Sequence, residues 1–276
     1  MRRNPLAITK MLLQTLSLPL TAIAIAYFGL ILYALLRADS LIFPNVPASY
    51  TLGAGIQMLK SSDGEQIAAS YLPVASTETL LLYCHGNGED IGDARSLMEQ
   101  YQQRGIATLV FDYPGYGISS GKATESGCHA ATLATYRYAV DELGYRPEQI
   151  SLYGRSLGGG PACWLAAREP VGSLILDGTF TSTFRVMTHR KLLPWDVFDN
   201  LAHLPEIECP VLILHGTEDR TVPFSHAPRN YAAVRGDKEK LWVAGAAHNN
   251  LIEVAGETYW STVLSFLEKQ HRKMAK

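Results

Sequence analysis

The stretch Ser151-Leu-Tyr-Gly154-Arg-Ser156-Leu-Gly158-Gly-Gly-Pro161 is where an apolar lead-in from Ile150 to Tyr153 meets Gly-x-Ser-x-Gly, with the Ala/Leu-rich run Pro161 to Arg168 behind it. Apolar run, tight turn and helix in that order make a nucleophile elbow. A serine at the tip of a strand-to-helix turn sits in strained backbone, and side chains two residues to either side would collide; glycine at 154 and 158 removes them. The turn lifts the Ser156 hydroxyl clear of the sheet, at a helix N-terminus where backbone N–H groups and the helix dipole favour a developing oxyanion. Taken alone, the motif also fits a glycine-rich turn whose serine only caps a helix. The flanking strand and helix favour the nucleophile.

The 276 residues and 30.3 kDa suit one α/β domain with an appendage. A net charge of −2 and a pI near 6.4 provide no electrostatic footprint for nucleic acid, and the basic tail His271-Arg-Lys-Met-Ala-Lys276 reads as a solvated helix end. Cys84, Cys128, Cys163 and Cys209 form no Cys-x-x-Cys pair and have no histidine at zinc-ligand spacing, so neither a metal nor a cofactor is expected. Cys84, Cys163 and Cys209 are expected to be free cysteines in the core, with a disulfide as the alternative.

Arg2, Arg3 and Lys10 precede an apolar run from Leu16 to Leu36, and about twenty such residues span a bilayer as a helix. Ala24-Ile-Ala26 is a formal signal-cleavage site, but cutting there would leave Tyr27 to Leu36 as an exposed apolar terminus. Residues 1–38 are therefore expected to form a cytoplasmic stub and an uncleaved single-pass membrane anchor, with the catalytic domain extracytoplasmic by the excess of basic residues before the span. Four cysteines without evident pairing pull the other way, toward a reducing compartment. Residues 39–50, punctuated by Pro44 and Pro47, read as a connector.

Residues 51–276 read as one domain. Gly55 to Lys60 and Gln66 to Leu72, joined through Ser-Ser-Asp-Gly, predict a hairpin. Thr79 to Cys84, Ala107 to Phe111, Ser173 to Leu176, Val211 to Leu214 and Leu241 to Val243 are short apolar runs, the pattern of strands covered on both faces. Helices are expected from Asp93 to Arg104, from Thr124 to Gly144 with Leu133, Tyr136, Val140 and Leu143 buried, and at the C-terminus with Trp260, Val263, Leu264 and Leu267 buried. Alternating strands and helices imply a mostly parallel sheet with helices on both faces, its site at the carboxyl ends of the strands.

A serine nucleophile needs a base, and the base an acid. His248, in Ala244-Gly-Ala-Ala-His248, follows the last strand, and Asp219, in His215-Gly-Thr-Glu-Asp219, follows the one before; Asp177, ending the strand after the elbow, is the alternative acid. The order Ser, Asp, His, together with His85-Gly-Asn-Gly-Glu-Asp90, Phe111-Asp-Tyr-Pro-Gly-Tyr-Gly-Ile-Ser-Ser-Gly121 and Val222-Pro223, resembles the α/β-hydrolase superfamily across about residues 50 to 270. Within it the chain resembles membrane-anchored serine hydrolases that include acyl-protein thioesterases and lysophospholipase-like enzymes. The resemblance implies Ser156 as nucleophile, His248 as base, Asp219 as acid, and oxyanion N–H groups from Asn87 and Leu157.

His85, His215 and Asp112 read as loop braces, Asp90 and Asp93 as a helix N-cap region, and His129, His189, His203 and His226 as helical or capping residues. Tyr113, Tyr116 and Trp195 fit either an apolar groove or partly buried packing. Residues 178–210 form a small cap, which leaves the serine accessible to acyl groups on a lipid or a protein. The expectation is a membrane-tethered serine hydrolase acting on a carboxylic ester or thioester. The alternatives are a serine peptidase of the same fold and a catalytically silent membrane-tethered binding module.

Overall fold

The computed structural model describes residues 5–44, 47–53, 55–75 and 77–274, with side chains from 19 to 269 within those bounds. It divides after Ile42 into two units. The first is helix α1, Pro5–Ile42. Its part Pro19–Ile42, 24 residues, is the one helix among the described residues that is long and apolar enough to cross a membrane. Leu20, Ile23, Ile25, Phe28, Leu35 and Leu36 on it are exposed. Arg2 and Arg3 lie outside the described residues, as do the side chains of Lys10 and of the basic C-terminal tail.

The second unit begins at Phe43. Its elements in order are β1 Ile56–Lys60, β2 Gln66–Leu72, β3 Leu80–Cys84, α2 Ile91–Gln103, β4 Ala107–Phe111, α3 Glu125–Arg137, β5 Ile150–Arg155, α4 Gly159–Ala166, β6 Ser173–Asp177, α5 Thr183–Thr188, α6 Asn200–His203, β7 Val211–Gly216, α7 His226–Ala233, β8 Lys238–Val243, α8 Leu251–Ala255 and α9 Glu257–Met274. The strands make one sheet in the order β1-β2-β4-β3-β5-β6-β7-β8, with β1 and β2 antiparallel and the rest parallel. Strands β3, β4, β6 and β7 are buried along their whole length, and β5 until Arg155. Helices cover both faces, which is why these strands read as continuous apolar runs instead of alternating ones.

Local chemistry starts α2 at Ile91, two residues before the expected Asp93 and within the N-cap region read at Asp90 and Asp93. Asp90 is the N-cap: its carboxylate accepts the Gly92 and Asp93 N–H groups at 2.9 and 3.1 Å, and Asp93 accepts the Asp90 N–H at 3.3 Å. The same carboxylate accepts the Ser49 N–H at 2.6 Å and the Ser49 hydroxyl, while the Tyr50 hydroxyl donates to Asp112. The end of the connector is thus built into the globular unit.

Three packing expectations need correction. In α3 the buried stripe is Cys128, Ala131, Thr132, Thr135 and Tyr136, with Leu133, Val140 and Leu143 only half-buried. A face of small residues lets α3 approach α4, and a wider π-turn at Tyr138–Glu142 rotates the later residues out of a 3.6-residue register. In α9 the buried face is Tyr259, Trp260, Val263, Phe266 and Leu267, and Leu264 lies at its edge. All four cysteines are free, but Cys128 is buried and Cys209 half-buried, because Cys128 sits on that small-residue face.

Candidate active site

Ser156 has φ +49°, a left-handed conformation that a side chain rarely adopts, as the sharp reversal from β5 into α4 requires. A Cβ on Gly154 would lie 2.6 Å from the Gly159 Cα, and one on Gly158 2.7 Å from the His85 carbonyl oxygen. Both glycines are therefore sterically required. The Thr179 hydroxyl donates to the Ser156 carbonyl at 2.8 Å and ties the turn to the strand end beside it.

The Ser156 Oγ lies 2.9 Å from His248 Nε2, and His248 Nδ1 lies 2.6 Å from Asp219 Oδ2. The other Asp219 oxygen accepts the Thr221 and Val222 N–H groups at 2.9 and 2.8 Å. Burial raises the Asp219 pKa, but the His248 hydrogen bond and charge and the Val222 N–H outweigh it and leave the group below its ordinary value. An ionised carboxylate facing Nδ1 favours the tautomer protonated there, which leaves Nε2 to accept a hydrogen bond from the Ser156 hydroxyl.

Asp177 does not take that place. Its Oδ2 accepts the Tyr153 hydroxyl at 2.8 Å, and burial raises its pKa against the opposing effect of Arg155. Gly178, next to it, has φ +57°, and a Cβ there would stand 3.3 Å from the His248 ring. The end of β6 thus forms the floor under the imidazole.

The profile of the alpha/beta hydrolase fold family matches residues 79–202. The human alpha/beta hydrolase domain-containing protein 17B is 35% identical over 217 residues, covering 77% of this chain and 75% of the relative. The chain belongs to the alpha/beta-hydrolase superfamily. The corresponding 17B protein of Xenopus laevis is 36% identical over 204 residues, covering 72% and 70%. Among solved structures, an esterase of Pyrococcus furiosus superposes with a TM-score of 0.68 at 17% identity, over 82% of this chain and 98% of that one. Est1E from Butyrivibrio proteoclasticus with bound ferulic acid gives 0.63 at 21% identity, over 76% and 98%. At those identities the structural likeness speaks for the fold alone.

In this hydrolase the remaining sequence candidates fall into place as supports. His85 Nδ1 lies 2.8 Å from the Gly86 carbonyl and His215 Nε2 2.9 Å from the Val222 carbonyl, each bracing the loop after its strand. Burial lowers both histidines, His85 to about 4. Asp112 accepts the Ile91 N–H at 2.8 Å, and burial raises it to about 7. Tyr113 and Tyr116 are both buried, the first donating to the His85 carbonyl at 2.9 Å and the second to Asn87 Oδ1 at 2.7 Å. They are the scaffold of the loop that carries Asn87. Trp195 is half-buried in the cap. Leu157, buried, is the middle residue of the 3-10 turn Ser156–Gly158 that leads into α4. Among the described residues no group of three or more His, Cys, Asp or Glu is placed to hold a metal ion.

Sequence reasoning passed over three side chains near the site. Arg155 forms an ion pair with Glu89 and donates to Asn249 Oδ1 at 3.0 Å. Glu89 lay in the His85 to Asp90 motif and Arg155 inside Gly-x-Ser-x-Gly, but neither position carries a signal for a partner that distant in the chain. His226, read as a helical or capping residue, is the first residue of α7, and its Nδ1 accepts the Thr181 N–H at 3.1 Å.

Proposed function

We propose that this protein is a serine hydrolase that cleaves carboxylic esters or thioesters through an acyl-enzyme. The observation that carries the proposal is the continuous hydrogen-bonded line from Ser156 through His248 to Asp219, with the serine in left-handed backbone. In the first half-reaction Ser156 Oγ attacks the acyl carbon as His248 Nε2 takes its proton, and Asp219 stabilises the imidazolium. The N–H groups of Leu157 and Asn87 receive the oxyanion. His248 then protonates the leaving alcohol or thiol. In the second half-reaction water, deprotonated by His248, attacks the acyl-serine and frees the acid.

The α1 helix supports a membrane-tethered form of this enzyme, with residues 1–38 as stub and anchor, the N-terminus cytoplasmic and the catalytic domain across the membrane. A cap as small as residues 178–210 suits an acyl group carried on a lipid or a protein. The test is reaction with a fluorophosphonate probe, then a panel of p-nitrophenyl esters and acyl thioesters of graded chain length. Wild-type protein should be labelled at Ser156 and turn over members of the panel. A protein that is neither labelled nor active would be a silent binding module of the same fold.

A further inference from the structure

Two loops must meet beside Ser156, and they leave the sheet far apart. The loop after β3 adjoins β5, but the loop after β8 starts three strands away, about 14 Å at the usual strand spacing of about 4.8 Å. The second loop folds back over the end of β7, where the Glu218 N–H donates to the Ala246 carbonyl at 2.9 Å. It still has to be held at its far end, where His248 reaches the serine.

Arg155 stands between them. It ends β5, pairs in register with Asp177, and by the two-residue alternation of a strand lies on the same sheet face as Tyr153. Its guanidinium pairs with Glu89 and donates Nη2–H to Asn249 Oδ1 at 3.0 Å. Glu89 Oε2 accepts the Gly86 N–H at 2.9 Å, and the Glu89 N–H donates to the Gly86 carbonyl at 3.3 Å, so the carboxylate closes the turn around Asn87. Asn249 directly follows His248. The Arg155 and Glu89 side chains are each 20% exposed, so the pair is largely shielded from the screening that weakens surface ion pairs. Arginine suits the place because its planar fork donates in two directions at once.

We propose that Arg155, Glu89 and Asn249 form a positioning clamp that holds the Asn87 loop and the His248 loop in register over Ser156. The inference rests on the Ser156 chemistry proposed above. None of the three residues is a catalytic residue; they act through Asn87 and His248. Release of the clamp misaligns groups whose full interaction develops only in the transition state, so it lowers kcat and leaves KM nearly unchanged.

The test uses the full-length protein, with p-nitrophenyl butyrate for kinetics, a fluorophosphonate for Ser156 labelling and thermal unfolding for fold integrity. Arg155→Gln and Glu89→Gln should each lower kcat about ten- to hundredfold, the scale of a small misplacement of reacting groups, with KM within about twofold. The double variant should be little worse than either single, since the two act as one unit. Arg155→Lys keeps the charge but not the fork and should fall between. Asn249 is exposed, so Asn249→Ala spares the fold, and it should lower kcat about fivefold through loss of one charge-assisted hydrogen bond. An unchanged kcat in Asn249→Ala and Arg155→Gln, or a loss seen in KM alone, overturns the clamp. Ser156 labelled at an unaltered rate in Arg155→Gln overturns the clamp alone, whereas a wild-type protein unlabelled at Ser156 overturns the triad and the clamp together.

Discussion

Ser156, His248 and Asp219 stand in one line of hydrogen bonds, so under the proposed mechanism their removals should not add. Ser156→Ala and His248→Ala should each abolish most turnover of a p-nitrophenyl ester while thermal unfolding stays near that of the wild type, and the double variant should be little worse than either. Near-normal esterase activity in Ser156→Ala would falsify the nucleophile assignment. The two carboxylates should separate in the same assay. Asp219→Asn removes the charge that orients the imidazole and should lower kcat by about three orders of magnitude or more. Asp177→Asn only alters a hydrogen bond from Tyr153 and should be mild. A severe Asp177→Asn beside a mild Asp219→Asn would move the acid to β6.

At the scale of elements, the histidines buried under helices and loops set how the fold responds to acid. Burial lowers His85 to about 4, His129 to about 3 and His226 to about 4, and it lowers His203 and His215 as well. In the unfolded chain each takes up its proton near pH 6.5. Between pH 6.5 and 4 the unfolded state therefore binds more protons than the folded one, and stability falls as pH falls. Asp112, raised by burial to about 7, and Asp177, also raised, work the other way, since the folded state keeps protons that the unfolded chain has lost. The histidines outnumber them, so the urea midpoint should be lower at pH 5 than at pH 7.5. His129 stacks on Trp164 with ring centroids 4.4 Å apart, and its Nε2 is buried without a hydrogen bond. His129→Phe keeps the stack and removes the titration, so it should narrow the gap between the two midpoints. An identical gap would show that His129 contributes nothing to it.

For the whole molecule, the division after Ile42 separates an apolar helix from a unit that holds every proposed catalytic residue. A chain beginning at Leu41 should be soluble without detergent and hydrolyse a soluble short-chain ester as fast as the full chain. Its rate on an acyl substrate resident in vesicles should fall, because the tether no longer concentrates enzyme beside substrate. A full-length protein extracted by carbonate alone, or one whose N-terminus maps near Tyr27, would overturn the anchor. A chain beginning at Thr51 should be less stable than the one beginning at Leu41. It lacks the Ser49 donors to Asp90 and the Tyr50 donor to Asp112, and each buried acceptor left bare costs about 1–3 kcal/mol.

Much of this architecture was legible in the chain because it depends on neighbours in sequence. The elbow follows from two glycines flanking a serine, the start of α2 from Asp90 and Asp93, and the sheet from apolar runs too short for helices. Side-chain sterics and capping bonds act within a few residues, and they leave a local pattern. Tertiary structure decided the rest. Asp177 ends β6, next to the elbow strand, and Asp219 lies in the loop after β7, one strand further out; Tyr153 donates to the first, while His248, 29 residues away, meets the second. The buried face of α3 depended on how closely α4 approaches, and the role of Tyr116 on which loop lay above it. Arg155 bridges Glu89 and Asn249, 94 residues beyond it, only because the chain closes β3 and β8 around β5. Such pairings follow from strand order and close packing, which depend on the whole fold at once and leave no periodic mark on the sequence.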